Sequence, residues 1–229
     1  MGNEINGDLS VRADVYTDRM EWAPSPSGSV WRKRVHLVGS PESGQVTSVV
    51  RYEPQSEFPA HDHPDGEEIL VLDGVFSDEY GDWPAGTYLL NPEGFRHAPY
   101  SAVGCLLFVK LRQFPGRERR HVVVDTGKLA WEPGPIAGVA QKRLYEQPGF
   151  SDEMRLEHWD PGTDLGIVSY EQGAELFVLD GEFADDEGAY RRGCWLRLPC
   201  SSAHHPHSDG GCTVYVKRSG LPYLRSSAD

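Results

Sequence analysis

Three histidines and one glutamate are spaced along this sequence as the ligands of a metal ion often are. His61 and His63 lie two residues apart, Glu67 follows, and His97 comes later, behind a Pro-x-Gly turn. In a strand, alternate side chains share one face, so His61 and His63 should point the same way. His97 must arrive from another strand. We therefore predict one metal site formed by these four residues.

The donor types narrow the choice of metal without fixing it. Three imidazoles and one carboxylate form a mixed nitrogen and oxygen set, which suits Zn, Fe, Mn, Ni or Cu. Zinc would be held by four protein ligands in a closed tetrahedron, as in a structural site. An octahedral ion such as Fe(II) or Mn(II) would keep two positions for water, dioxygen or a substrate. A His-x-His pair alone is more often two surface histidines, so the prediction depends on all four positions.

The elements that must position these side chains are predicted to be short strands. Turn residues, among them 25 glycines and 17 prolines, separate short apolar runs along the whole chain. This pattern is typical of an all-β sandwich or barrel. Within it, Asp73-Gly74 predicts a tight hairpin turn after the apolar run 67–72.

The sequence repeats itself after about residue 114, and this sets the predicted architecture. The stretch 68–76 returns as 175–183, an offset of 107 residues. The same offset, without a gap, makes His204 the equivalent of His97 and Lys217 the equivalent of Lys110. Two homologous β-units therefore follow one another. We predict an N-terminal extension over residues 1–14, a metal-binding unit over 15–113, a linker over 114–123 and a second unit over 124–229.

The same offset predicts that the second unit has lost the metal site. The first three ligands are replaced by Val168, Tyr170 and Ala174, and only His97 keeps a counterpart, His204. One imidazole cannot hold a divalent ion firmly. An alternative is a relocated site, and its candidate ligands are Cys200, His204, His205 and His207. Exposed histidines in a loop are the simpler interpretation of that group.

Composition excludes several classes of partner. A formal net charge of −13 argues against nucleic acid, because phosphate binding needs a basic patch. No apolar run approaches the length of a membrane span, and residues 1–10 lack the apolar region of a signal peptide. We therefore expect a cytoplasmic protein, in which the four cysteines are reduced core residues.

The motifs resemble those of the cupin superfamily. The pattern H-x-H-x3-E-x6-G covers 61–74, and G-x5-P-x-G-x2-H covers 86–97. The position four after the last histidine, where the family often has a non-ligating Asn, holds Ser101. The resemblance implies two tandem cupin barrels, each a jelly-roll-like double-stranded β-helix, with one metal ion held by the first.

Stretches 66–78, 81–88 and 104–110 resemble the cupin domain of ChrR-type anti-sigma factors more narrowly. The resemblance implies zinc on His61, His63, Glu67 and His97, with Fe, Mn or Ni as alternatives. ChrR-type regulators carry a helical zinc-binding domain ahead of the cupin. Here the segment before the motif has no cysteine and a single histidine, His36, so a sigma factor is not expected as a partner.

Two functions from different classes follow from this resemblance. The first is a metal-dependent sensor or regulatory protein that responds to an oxidant or small ligand. The second is an iron-dependent dioxygenase that acts on a small organic compound such as a diketone, as related cupins do. Cupins often pair through sheet edges, so a homodimer is also expected.

Overall fold

The computed structural model describes residues 4–226, so the outer ends of the predicted extension and second unit, 1–3 and 227–229, lie outside it. The chain there is built almost entirely of strands, as predicted. Three short 3-10 helices, Thr17–Arg19, Thr126–Lys128 and Leu221–Tyr223, are its helical elements over residues 4–226. None of these is long enough to span a bilayer.

The strands alternate between long, buried ones and short ones at the turns. Up to residue 125 they are β1 (Ala13–Tyr16), β2 (Ala23–Pro24), β3 (Val30–Val38), β4 (Gln45–Tyr52), β5 (Ser56–Glu57), β6 (His61–His63), β7 (Glu67–Asp78), β8 (Gly81–Pro84), β9 (Thr87–Asn91), β10 (Phe95–His97), β11 (Tyr100–Ser101), β12 (Cys105–Leu111) and β13 (Val122–Asp125). Beyond it they are β14 (Glu132–Pro133), β15 (Val139–Tyr145), β16 (Glu153–Trp159), β17 (Thr163–Asp164), β18 (Val168–Tyr170), β19 (Ala174–Asp185), β20 (Gly188–Arg191), β21 (Cys194–Leu198), β22 (Ser202–His204), β23 (His207–Ser208) and β24 (Cys212–Arg218).

The described chain forms two compact units. The first contains residues 4–7, 20–128 and 225–226, and the second contains Asp8–Arg19 and Leu129–Leu224. In the first, the main antiparallel sheet has the order β13-β9-β7-β12-β4-β3-β2, and β6 pairs with β10. In the second, the order is β1-β21-β19-β24-β16-β15-β14, and β18 pairs with β22. The two sheets are the same arrangement, so the internal repeat in sequence is also a repeat in structure.

β1, which precedes the first repeat, belongs to the second unit, and β13, which precedes the second repeat, belongs to the first unit. β13 pairs with β9 in the first unit, and β1 pairs with β21 in the second. Equivalent hydrogen bonds hold the turns that follow these two strands. Thr126 Oγ1 donates to the Gly86 carbonyl, and Thr17 Oγ1 donates to the Gly193 carbonyl, each at 2.7 Å. The segment interpreted as a linker is therefore part of the first unit, where its Phe114 is fully buried.

The predicted hairpin turn at Asp73-Gly74 is wrong. β7 runs through both residues for its full length of 12 residues, and its pairing with β12 shifts by one position at Leu106 and Leu107. Gly74 has a φ of +71° at this bulge, a conformation in which glycine is favoured. The glycine that suggested a turn instead bends one long strand.

The interior of the first unit is apolar, and the strands that border the histidines supply it. Strands β4, β7 and β12 are rich in β-branched and aromatic residues, which suit a half-buried pleated surface. The core cluster consists of Val30, Val50, Tyr52, Ile69, Val71, Phe76, Leu89, Cys105, Leu107 and Val109. Cys105, Cys194 and Cys212 are buried, whereas Cys200 is exposed, so the expectation that all four cysteines lie in a core is wrong for Cys200.

Candidate metal centre

A two-stranded ladder positions the three histidines. β6 pairs with β10 in antiparallel register, so that His97 lies opposite His61. His61 and His63 share one face of β6 as predicted, whereas Asp62 between them faces outward and pairs with Arg96 at 3.2 Å. The alternation of a strand thus turns two of the three imidazoles inward, and the neighbouring strand adds the third.

The four predicted residues come together in the structure. The nearest ligand atoms of His61, His63 and His97 all lie within 4.8 Å of one another, and Nε2 of His63 is 3.0 Å from Nε2 of His97. Glu67 begins β7 beside them, and its Oε2 lies 3.5 Å from Nε2 of both His63 and His97. Ligand atoms that share one ion at about 2.0–2.2 Å have separations of this order. The donor set of the three imidazoles therefore fits a divalent cation.

Hydrogen bonds on the far side of two imidazoles orient them toward this point. Nδ1 of His61 lies 2.9 Å from the carbonyl oxygen of Pro59, which can only accept, so Nδ1 carries the proton. Nδ1 of His97 likewise lies 3.1 Å from Oδ2 of Asp78. Nε2 of each ring is then left with its lone pair facing the cluster, as a metal ligand requires.

Charges at the site oppose the effect of burial. Burial lowers the pKa of His63; the charge of Glu67 opposes this effect in part, whereas the neighbouring imidazoles lower the pKa further. Burial would also lower the pKa of His97, but its hydrogen bond to Asp78 and the charge of Glu67 outweigh it, so that pKa is raised. Two imidazole nitrogens 3.0 Å apart repel unless a proton or another cation lies between them. The pocket is thus arranged around a positive charge.

Two residues at the site, Asp78 and Asn91, were not predicted from the sequence motifs. Asp78 lies at the end of β7, and its side chain is 2% exposed. Burial raises its pKa, but hydrogen bonds from His97, Tyr80 and Trp83 lower it overall, so the carboxylate stays ionised. Asn91, fully buried, donates from Nδ2 to Oε2 of Glu67 at 3.0 Å. The repeat contains a usable hint, since Asp78 and His97 recur together as Asp185 and His204.

A cavity adjoins the histidines inside the first unit. It has a volume of about 90 Å³, and its walls are mainly apolar side chains, with Tyr52, Phe58 and Phe76 among them. A wider opening of about 340 Å³ lies beside it and shares His61, His63 and Arg32 with its lining. The inner space is far smaller than the roughly 300–1,000 Å³ of drug-sized pockets. It suits water or one small organic molecule next to the metal ligands.

In the second unit, side chains that contact one another occupy the position equivalent to the metal site. Val168 lies opposite His204 in the β18–β22 ladder, as His61 lies opposite His97. The Tyr170 hydroxyl is 3.2 Å from Nε2 of His204, whose Nδ1 is 2.9 Å from Oδ2 of Asp185. A phenol thus replaces the imidazole of His63. Across residues 4–226, the group at His61, His63 and His97 has no second example.

The relocated site is not formed. His204 is buried against Tyr170 and Asp185, while His205 turns away to Oδ1 of Asp164 at 2.7 Å. Cys200 is exposed. His204 and His205 therefore have separate partners, and within residues 4–226 the four candidates do not form a group of metal-ligating side chains.

Arg12 completes this network in the second unit and gives a test of its strength. Its Nη2 lies 2.6 Å from Oδ2 of Asp185 and also contacts the Tyr190 hydroxyl. Burial raises the pKa of Asp185, but hydrogen bonds from Arg12 and His204 outweigh it and lower that pKa from 3.8 to about 2. The ionised carboxylate therefore stabilises the fold above its ordinary pKa of 3.8, and this contribution is lost as pH falls toward about 2.

We expect Arg12→Leu to lower the free energy of unfolding at pH 7 by on the order of 2 kcal/mol, because it leaves Asp185 charged and buried. The matched control is Arg191→Leu, which removes the exposed 2.7 Å pair with Asp18 of the same N-terminal segment and should cost much less. Urea unfolding at pH 7 and pH 3 measures both. Equal losses for the two variants, or a loss from Arg12→Leu that grows at pH 3, would contradict the assignment.

Comparison with known proteins places this architecture. The family model described as the ChrR cupin-like domain matches residues 10–115 and again residues 119–222. A search of curated proteins finds no significant match. Each of the two matches contains one copy of the internal repeat, so the expected pair of cupin barrels is confirmed.

Solved structures with the same fold include metal-binding proteins. A candidate dioxygenase from Nostoc punctiforme superposes with a TM-score of 0.73 at 16% identity, covering 90% of this chain and 82% of that one. Escherichia coli pirin YhhW, solved with nickel(II), gives 0.68 at 15% identity over 91% and 98%. Bacillus subtilis oxalate decarboxylase, with Mn(II) centres, gives 0.62 at 13% identity over 94% and 78%. At these identities the likeness establishes the fold alone.

The family follows from the sequence match, which spans nearly the whole chain. Both barrels are covered, including the one that lacks the histidine cluster. The chain therefore belongs to the family of ChrR cupin-like domains and contains two of them in tandem.

Proposed function

We propose that the first barrel binds one divalent metal ion through His61, His63, Glu67 and His97, and that a small organic molecule binds beside the ion. The observation that carries this is the convergence of three imidazoles and one carboxylate beside a cavity that His61, His63 and Glu67 line. A purely structural site would need no such space. Bound there, the ion would act as a Lewis acid toward an oxygen atom of the ligand.

For the ion itself we expect zinc, with iron, manganese or nickel as alternatives. The donor set accepts all four. Two of the proteins of similar fold described above contain nickel or manganese, according to their own descriptions. The chain's contribution does not depend on this choice, since Asp78 and the Pro59 carbonyl orient two imidazoles and Asn91 orients Glu67.

The first candidate role is regulatory: a barrel in which metal and ligand together sense an oxidant or a small molecule. Membership of the ChrR cupin-like family supports it. A sensor needs a partner that reads its state. We expect an affinity-tagged chain to retain one cellular protein in the metal-loaded form and to release it when the ligand or oxidant is added. If the same protein is retained with or without the metal and with or without the oxidant, the result counts against this role.

The second candidate role is enzymatic, and the apolar cavity that opens beside His61 and His63 favours it. The reaction would be a metal-dependent oxygenation of a small carbonyl compound such as a diketone. Oxygen-electrode measurements on the iron-loaded protein test it against a panel of small diketones and 2-oxo acids. No oxygen uptake with any of them would count against the enzyme.

Metal content decides whether either role is tenable. We expect elemental analysis of the purified chain to find about one equivalent of a first-row divalent ion. A chelator should remove it and lower the melting temperature, because an ion that binds only the folded state stabilises that state. X-ray absorption then gives the coordination number. A protein that stays metal-free after loading with zinc, iron, manganese and nickel would overturn the proposal.

A further inference from the structure

The charge inside the first barrel comes from few side chains. Among the residues that line the inner cavity beside the histidines, Arg32 and Glu67 are the charged ones. Glu67 lies at the metal ligands, whereas Arg32 lies on β3 and also lines the outer opening. With Glu67 engaged by a divalent ion, the charges that face a ligand in this cavity are the ion and the Arg32 guanidinium. Both are positive.

The partner of Arg32 leaves it open to a second anion. Nη1 of Arg32 contacts Glu42 at 2.9 Å, but the Glu42 side chain is 51% exposed and the Arg32 side chain only 18%. Exposed ion pairs of this kind contribute little free energy. Arg34 contacts the same carboxylate at 3.1 Å, so two guanidinium groups share the exposed Glu42, which lines the outer opening. Asp62, the other acid that lines the opening, is paired with Arg96.

The second barrel supplies an internal comparison. Arg32 lies opposite Val50 in the β3–β4 ladder, and Gln141 lies opposite Glu157 in the equivalent β15–β16 ladder. The positions therefore correspond, and the arginine is absent from the barrel that lacks the metal ligands.

We propose that the ligand of the first barrel is a small organic carboxylate with a compact apolar body, and that Arg32 binds its carboxylate. The proposal rests on the metal site described under the proposed function and adds the substrate class. Phe58, Phe76 and Leu107 line the space for the apolar body, and an oxygen atom next to the carboxylate faces His61 and His63. The cavity of about 90 Å³ excludes large acids.

Titration calorimetry of the metal-loaded chain with two matched probes tests this. 2-Oxobutanoate carries the charge, and 2-oxobutanamide has nearly the same shape without it. We expect 2-oxobutanoate to bind at least about tenfold more tightly, since a charge-assisted pair with a guanidinium has that order of effect. Arg32→Gln, which installs the residue of the second barrel, should weaken binding of 2-oxobutanoate about tenfold and leave that of 2-oxobutanamide within about twofold, so that any remaining preference is due to the ion.

Two variants serve as controls. Glu42→Gln removes the competing carboxylate and should strengthen binding of 2-oxobutanoate by about twofold to threefold. Arg34→Gln loses a guanidinium with the same partner that does not line either cavity, and affinity should stay within about twofold of the parent. Circular dichroism and melting temperature verify that each variant is folded.

The outcomes separate the two proposals. Metal content is measured on every preparation, so a metal-free parent protein refutes the metal centre independently of Arg32. If the metal is present, equal affinity for both probes, no binding of either, or an unchanged affinity in Arg32→Gln overturns the carboxylate ligand and leaves the metal site standing.

Discussion

His63→Ala is expected to reduce bound metal from about one equivalent per chain to less than about a tenth. His63 is 6% exposed, and its Nε2 lies 3.0 Å from Nε2 of His97 and 3.5 Å from Oε2 of Glu67. The binding free energy of a four-ligand zinc site, on the order of 10–16 kcal/mol, divides among few bonds, so the loss of one lowers affinity by several orders of magnitude. Elemental analysis after dialysis against a weak chelator measures the change.

The matched control is Tyr170→Phe, which alters the corresponding position of the second barrel. It removes the hydroxyl that contacts Nε2 of His204 at 3.2 Å and should leave metal content unchanged. A His63→Ala protein that is folded and keeps its full complement of metal would show that the ion binds elsewhere. Loss of metal from Tyr170→Phe would show that the second barrel contributes to the site.

Gly74→Ala is expected to be the most destabilising small substitution in the first barrel. With φ at +71°, an added Cβ would press on the Gly104 carbonyl and on Cys105 Cα in the neighbouring strand. The positive φ costs about 1–2 kcal/mol for alanine, and overpacking a rigid backbone contact adds about 1–3 kcal/mol. We therefore expect a loss of about 3 kcal/mol or more in the free energy of unfolding, measured with urea.

Gly28→Ala separates these two causes. Gly28 also has a positive φ, +75°, but an added Cβ would meet no atom within 4 Å. Its loss should be about 1–2 kcal/mol, from backbone conformation alone. If the two variants lose the same free energy, the close approach of β7 and β12 at the bulge is not a constraint. Metal content should be unaffected in Gly28→Ala, whose turn is remote in sequence from the histidines.

Spacing in the sequence predicted the histidine cluster because strand geometry is regular. Alternation places His61 and His63 on one face, and an ungapped offset showed that the second repeat has Tyr170 in place of His63. The residues that orient the ligands were not predictable in the same way. Asp78 reaches His97 through the end of a long strand, which depends on tertiary pairing and leaves no local pattern.

Two errors of interpretation have physical reasons. Asp73-Gly74 is a strong hairpin signal, but the same positive φ serves a bulge within a continuous strand, and local sequence cannot distinguish the two uses. The predicted linker over 114–123 is basic and contains a Pro-Gly pair, a composition typical of linkers. In the structure Phe114 is buried beneath Gly66, and Arg119 is 2% exposed. Burial of such a segment is decided by what it packs against.

The crossed membership of β1 and β13 has a consequence for the origin of the chain. If an ancestral single-barrel protein formed dimers by exchanging its first strand, each copy would have completed the sheet of the other. Joining two such copies end to end, without changing any pairing, produces the connectivity seen here, with β1 on β21 and β13 on β9. Gene fusion would then have freed one copy to lose its histidines while it still completed the sheet of the other. If the chain were cut between the two repeats, each half would lack one edge strand of its sheet.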